Sequence, residues 1–151
     1  MDSKLELQIQ ETMKRAFWDL IKSDLNAEPQ RFDHLIVLIV EIRDRLINLT
    51  PNRIDFTNEL NEYLDEAFLK HLFNEKSLNP EHFFRLIQFL IKKIKLYAAP
   101  YLDNDINAWE KETIQRMETN IVYSEFLPYF FETLYTFIQK IELDVEQYKK
   151  K

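Results

Sequence analysis

The chain has 151 residues, 46% hydrophobic, 30% charged and 14% aromatic, with a formal net charge of −6 and neither glycine nor cysteine. That balance supports a buried core rather than disorder, and the length fits one domain, 1–151. Without glycine there is no ordinary phosphate-cradling loop, dinucleotide fingerprint or nucleophile elbow; without cysteine there is no disulfide or thiolate chemistry; and the acidic balance opposes nucleic acid and anionic membranes.

The first helix is predicted over Ser3–Asp24, with Ile9, Met13, Ala16, Phe17, Leu20 and Ile21 on one stripe. Asn26–Pro29 breaks it. The second carries Phe32, Leu35, Ile36, Ile39, Ile42 and Leu46 on one face and is also apolar at Val37, Leu38 and Val40, as a central helix would be. Thr50-Pro51 has the form of a helix stop or of an N-cap followed by Pro at the first helical position. A third helix runs from Pro51 or Asp55 to Asn74, burying Ile54, Leu60, Leu64, Ala67, Phe68 and Leu72. Asn79-Pro80-Glu81 combines a cap, a proline at the first helical position and an acid in the first turn. From there Phe83, Ile87, Leu90, Ile94 and Tyr97 recur with helical spacing until Ala99-Pro100. Asp103 caps a shorter helix holding Ile106, Trp109, Ile114 and Met117 and ending near Asn120. Ser124 opens the longest helix, with Phe126, Phe130, Leu134, Phe137, Ile141, Val145 and Tyr148 as one seam and Pro128 near its first turn. The expected fold class is all-α, a compact single-domain bundle of about six helices.

Little in this pattern points to reaction chemistry. His34, His71 and His82 lie in no metal-ligand spacing, and the acids Glu59, Glu62, Asp65 and Glu66 read as the wet face of a helix. Lys92, Lys93 and Lys95, like the terminal Lys149–Lys151, read as solvated charge. Ser3, Ser23, Ser77 and Ser124 fall at helix ends or in loops, where capping accounts for them. No catalytic, cofactor-binding or metal residue is assigned, and no enzyme activity is expected. The uncharged apolar runs Leu35–Val40 and Phe126–Phe131 are far below a membrane span, so the chain is expected to be soluble, intracellular and cytoplasmic. Abundant Phe, Ile, Asn, Lys and Tyr beside scarce Ala suggest an AT-rich coding genome.

Four stretches in order carry a resemblance: EIRDRLINLTPNR (Glu41–Arg53), NELNEYLDEAFLKH (Asn58–His71), LYAAPYLDNDINAWEKE (Leu96–Glu112) and YFFETLYTFIQKIELDVEQY (Tyr129–Tyr148). Over Phe32–Tyr148 the chain resembles the t-complex protein 11 family, as a minimal or truncated version of it. Ala98 and Leu102 depart from the Cys and Arg of that family's pattern. The resemblance implies a non-catalytic regulator connected with cyclic-AMP and protein kinase A signalling. Pro100, Tyr101, Asp103 and Asn104, with Trp109 as an aromatic anchor, are the candidate protein-interaction residues. A plainer reading has Pro100 end one helix, Asp103 cap the next, and Trp18 and Trp109 both lie in the core.

The leading expectation is therefore a helical scaffold or regulator that binds a protein partner through a helix face or groove, with homo-oligomerisation left open. Acidic side chains at the rim would favour basic partners. The alternative is a virus-encoded helical effector of host apoptosis or signalling proteins, and an enzyme working through helix-borne carboxylates is the third class.

Overall fold

The computed structural model describes residues 3–74, 80–119 and 121–149; in the first helix, side chains are described for Gln8, Thr12 and from Lys14 on. All regular structure among these residues is helical: α1 (Ser3–Asn26), α2 (Asp33–Leu49), α3 (Ile54–Tyr63), α4 (Glu66–Asn74), α5 (Pro80–Tyr97), a 3-10 turn (Pro100–Leu102), α6 (Asp103–Glu118) and α7 (Tyr123–Lys149). α2 packs against α1, α3, α4 and α7, the central position its broad apolar surface predicts. α5 packs on α6 and α7, and the buried apolar side chains join in one cluster. The expected caps and ends at Asn79, Asn120 and Lys150–Lys151, and Ser77, lie outside the described residues.

The predicted third helix is in fact two. After Tyr63 the backbone leaves helical geometry at Leu64 (φ −114°, ψ 33°), and the Asp65 carboxylate accepts the Phe68 N–H at 2.9 Å, capping a new helix. The interruption resets the phase of the buried face. Leu69, Leu72 and Phe73 now point inward, whereas Ala67 and Phe68, expected inside, are exposed, as is Ile54 at the start of α3. Asp65→Ala should cost about 1 kcal/mol, the ordinary worth of an N-cap, read as a lowered urea midpoint. An unchanged midpoint would show that α4 does not depend on this cap.

α3 itself starts without a side-chain cap, and charge does the anchoring. Arg53 Nε and Nη2 donate to the two Asp55 oxygens at 3.0 and 2.8 Å. These donors hold the Asp55 carboxyl down to about 2 from its ordinary 3.8. A depressed folded value makes the stabilisation complete above about pH 4 and lost as pH falls through about 2. The pair is fully exposed, so the effect is small: Asp55→Asn should flatten the acid limb of a plot of Tm against pH between about 2 and 4. An acid limb identical to that of the parent chain would remove Asp55 from the account.

In α1 the buried stripe is Trp18, Ile21 and Leu25, with Phe17 half-buried; Ala16 and Leu20, placed inside by the sequence pattern, face out. The helix meets α2 and α7 together, and that pair of neighbours selects a stripe rotated by one residue from the expected one. Ile9 and Met13 lie outside the described side chains. At its end, buried Asp24 organises the α1–α2 connection: its carboxylate meets His34 Nδ1 at 2.5 Å and Arg31 at 3.6 Å, and its carbonyl accepts the Arg31 N–H. The link includes a cis Glu28–Pro29 peptide.

α7 supplies the largest share of the core. Phe126, Phe130, Leu134, Phe137 and Ile141 are buried as the seam predicts, together with Leu127, Phe131 and Ile138. The seam then runs past its neighbours: Val145 is half-buried and Tyr148 is 80% exposed. Pro128 sits in the second turn, because the helix opens at Tyr123 and not Ser124, and it has no N–H to offer the Ser124 carbonyl. Arg45 of α2 fastens the outer flank by donating from Nε (3.0 Å) and Nη2 to Glu142, with its guanidinium 4.6 Å over the Tyr135 ring. That carboxylate raises the Arg45 pKa further above its already high ordinary value.

Candidate functional site

The break between α5 and α6 is built by proline and two apolar pins. Ala99 is extended (φ −72°, ψ 154°), Pro100 starts the 3-10 turn, and the Leu102 N–H bonds back to the Ala99 carbonyl at 3.0 Å. Leu102 and Ile106 are buried and hold the turn from beneath. Pro100, Tyr101, Asp103, Asn104 and Asp105 are exposed, four of the five candidate residues among them. Asp103 is the first residue of α6 rather than its cap, a place filled by Leu102. Its charge and that of Asp105 stand in the first turn, where the helix dipole favours them. The Tyr101 hydroxyl donates to Asp144 Oδ2 at 2.8 Å, and the carboxylate that receives this proton holds the phenol above its ordinary pKa.

The fifth candidate faces the other way. Trp109 is 4% exposed and stacks on Phe130 (ring centres 4.9 Å apart) with Phe137 beside it. Its Nε1 is buried without a hydrogen-bond partner among the described residues. Trp18 is also buried, at the wall of a groove between α1 and α7. The groove has a volume of about 380 Å³ and is lined by Lys14, Arg15, Asp19, Lys22, Glu132 and Thr136 besides the tryptophan. Lys22 and Glu132 meet across it at 3.8 Å, while Lys14 lies over the Tyr135 ring.

The acidic run of α3 and α4 does not converge on a point. Glu59 pairs with Lys93, Glu66 with Lys70, and Asp65 caps α4. Among the described residues no three His, Cys, Asp or Glu side chains are grouped so as to hold a metal ion, and no helix is long and apolar enough to cross a membrane. Lys93 corrects the reading of the basic spot as solvated: its side chain is 4% exposed, 2.5 Å from Glu59 and within 5.1 and 5.4 Å of the Phe56 and Phe89 ring centres. The spacing carried the signal, since Lys93 stands seven residues after Leu86 and four after Phe89, both inward-facing.

The family model for T-complex protein 11 matches residues 1–149, nearly the whole chain. The chain belongs to the T-complex protein 11 family. Similar members include the T-complex protein 11 homolog of Rattus norvegicus, 32% identical over 77% of this chain, and the T-complex protein 11 of Mus musculus, 29% identical over 77%. The T-complex protein 11 homolog of Homo sapiens is 30% identical over 74%. The chain spans about a fifth of the length of these relatives, since the matches cover 19%, 19% and 22% of them. No solved structure matches it. In this member of the family, Leu102, which stands where the family resemblance leads one to expect Arg, is a core plug at 1% exposure.

Proposed function

We propose that this chain is a non-catalytic, intracellular scaffold or regulatory module, folded as one domain, that works by binding another protein. The observation that carries this reading is the turn after α5: Pro100, Tyr101, Asp103, Asn104 and Asp105 are exposed, on a backbone held by the buried Leu102 and Ile106. An acidic, aromatic-bearing turn suits a basic partner surface, because unlike charges speed the encounter. Trp109 supports the turn from inside through its stack on Phe130. The finer role, in cyclic-AMP and protein kinase A signalling, rests on the family resemblance alone.

Affinity capture from the source organism with the full chain as bait, followed by mass spectrometry, tests the reading. Partners should be retained at low salt, weaken as salt rises, and be lost with Asp103→Lys/Asp105→Lys while the circular dichroism spectrum is unchanged. Capture that is indifferent to both charge reversals would move the interface elsewhere.

A further inference from the structure

Three described tyrosines expose more than half of their surface: Tyr63 at 52%, Tyr101 at 64% and Tyr148 at 80%. Tyr63 lies flat on Phe89, with ring centres 4.5 Å apart, and Tyr148 makes no hydrogen bond between elements among the described residues. Tyr101 differs from both. Its ring is open to solvent, yet its hydroxyl straps the 3-10 turn to α7 by donating to Asp144, 43 residues away, at 2.8 Å. Asp103 and Asp105 follow within four residues along the chain, and the charged group that the Tyr101 hydroxyl meets is itself a carboxylate. The nearest cation along α7, Lys140, is one turn before Asp144 and lies 6.0 Å over the Phe137 ring.

We propose that Tyr101 is a phosphorylation site whose modification releases the turn from α7. The phenolic oxygen attacks the γ-phosphorus of a nucleoside triphosphate; an O–P bond forms, the bond to the diphosphate breaks, and the phenolic proton passes to the base of the modifying kinase. The product carries about −1.5 to −2 charge near neutral pH and offers acceptor oxygens where Asp144 had received a proton. Two anions then face each other at hydrogen-bond range, and the strap becomes a repulsion. The freed residue is a phosphotyrosine followed by Asp103 and Asp105, a form that arginine-rich readers of phosphorylated segments recognise. For that last consequence the proposal rests on the turn being the partner-facing element; the release itself does not.

The test uses the full chain, a purified tyrosine kinase of broad specificity and ATP, with sites mapped by mass spectrometry and hydrogen exchange followed over residues 98–106 and 140–149. Tyr101 should take phosphate, and exchange in both segments should rise about tenfold, as expected for the loss of a hydrogen bond to a charged acceptor with repulsion added. Tyr101→Phe, which only removes the donor, should give a smaller rise, and Asp144→Asn should blunt the effect of phosphorylation. Label on Tyr63 or Tyr148 with none on Tyr101 would overturn the proposal, as would unchanged exchange. Slower exchange would also overturn it, by showing that Lys140 captures the phosphate and tightens the strap. None of these readouts needs a partner, so failure of the capture experiment and failure of this one are separate results.

Discussion

Phe130→Ala should lower the stability of the chain by about 3–5 kcal/mol, the range for truncating a buried phenylalanine. Phe130 is fully buried and meets four aromatic neighbours or near neighbours: Trp109 at 4.9 Å between ring centres, Phe131 at 5.2 Å, Phe126 at 6.0 Å and, through Trp109, Phe137. Truncation therefore removes dispersion contacts on several sides and opens a cavity that rigid rings collapse into poorly. Since a domain of this size has only about 5–15 kcal/mol in hand, the urea midpoint should fall by about a fifth or more. Tyr148→Ala is the control. The sequence pattern puts Tyr148 on the same seam, but at 80% exposure it should change stability by no more than about 0.5 kcal/mol. Comparable losses in the two variants would mean that α7 is not packed along the face described above.

Glu59→Gln should cost about 2–3 kcal/mol, out of proportion to its position on a half-exposed carboxylate. The reason lies with its partner. The Lys93 ammonium is enclosed by Phe56 and Phe89, and Glu59 is the one carboxylate paired with it among the described residues. An amide in place of the carboxylate can still accept from the ammonium but brings no countercharge, so the buried charge is left with a neutral dipole and the faces of two rings, the latter worth about 0.5–2 kcal/mol. The value is set below the 3–5 kcal/mol of a wholly buried pair because solvent reaches Glu59, 42% exposed. Lys93→Met should by contrast stay within about 1 kcal/mol of the parent, since an apolar chain of similar length fills the site without desolvating a charge. The double variant should then lose less than Glu59→Gln alone, a coupling that a double-mutant cycle measures directly. If Glu59→Gln behaves like Glu66→Gln, which breaks the exposed pair with Lys70, the ammonium is better hydrated than its enclosure implies.

Much of the architecture was legible because apolar recurrence and chain breakers are local signals. Phe83, Ile87, Leu90 and Ile94 lie inside α5 as their spacing requires, and Pro100 ends the run where its ring and missing N–H disfavour a continuing helix. The order of the four stretches, Glu41–Arg53 through Tyr129–Tyr148, likewise carried the family, which the match over residues 1–149 establishes. What could be read of the candidate residues was their exposure, and that only in part. Pro100, Tyr101, Asp103 and Asn104 are each exposed, which says nothing of a partner, and an indole reads the same in sequence whether it faces a partner or a neighbouring helix; Trp109 faces Phe130.

By itself, then, the order of residues determined that the chain is helical, where most of its helices begin and end, that α2 is central and that α7 carries a long apolar seam. Only the tertiary structure decided which side of α1 is buried, that α3 and α4 are separate, that Lys93 is inside and Tyr148 outside, and that Tyr101 reaches Asp144. The division has one physical cause. Helix formation and capping depend on residues within about four positions of each other, whereas burial depends on which other helix arrives, where that helix stops, and what charge it brings across distances of tens of residues.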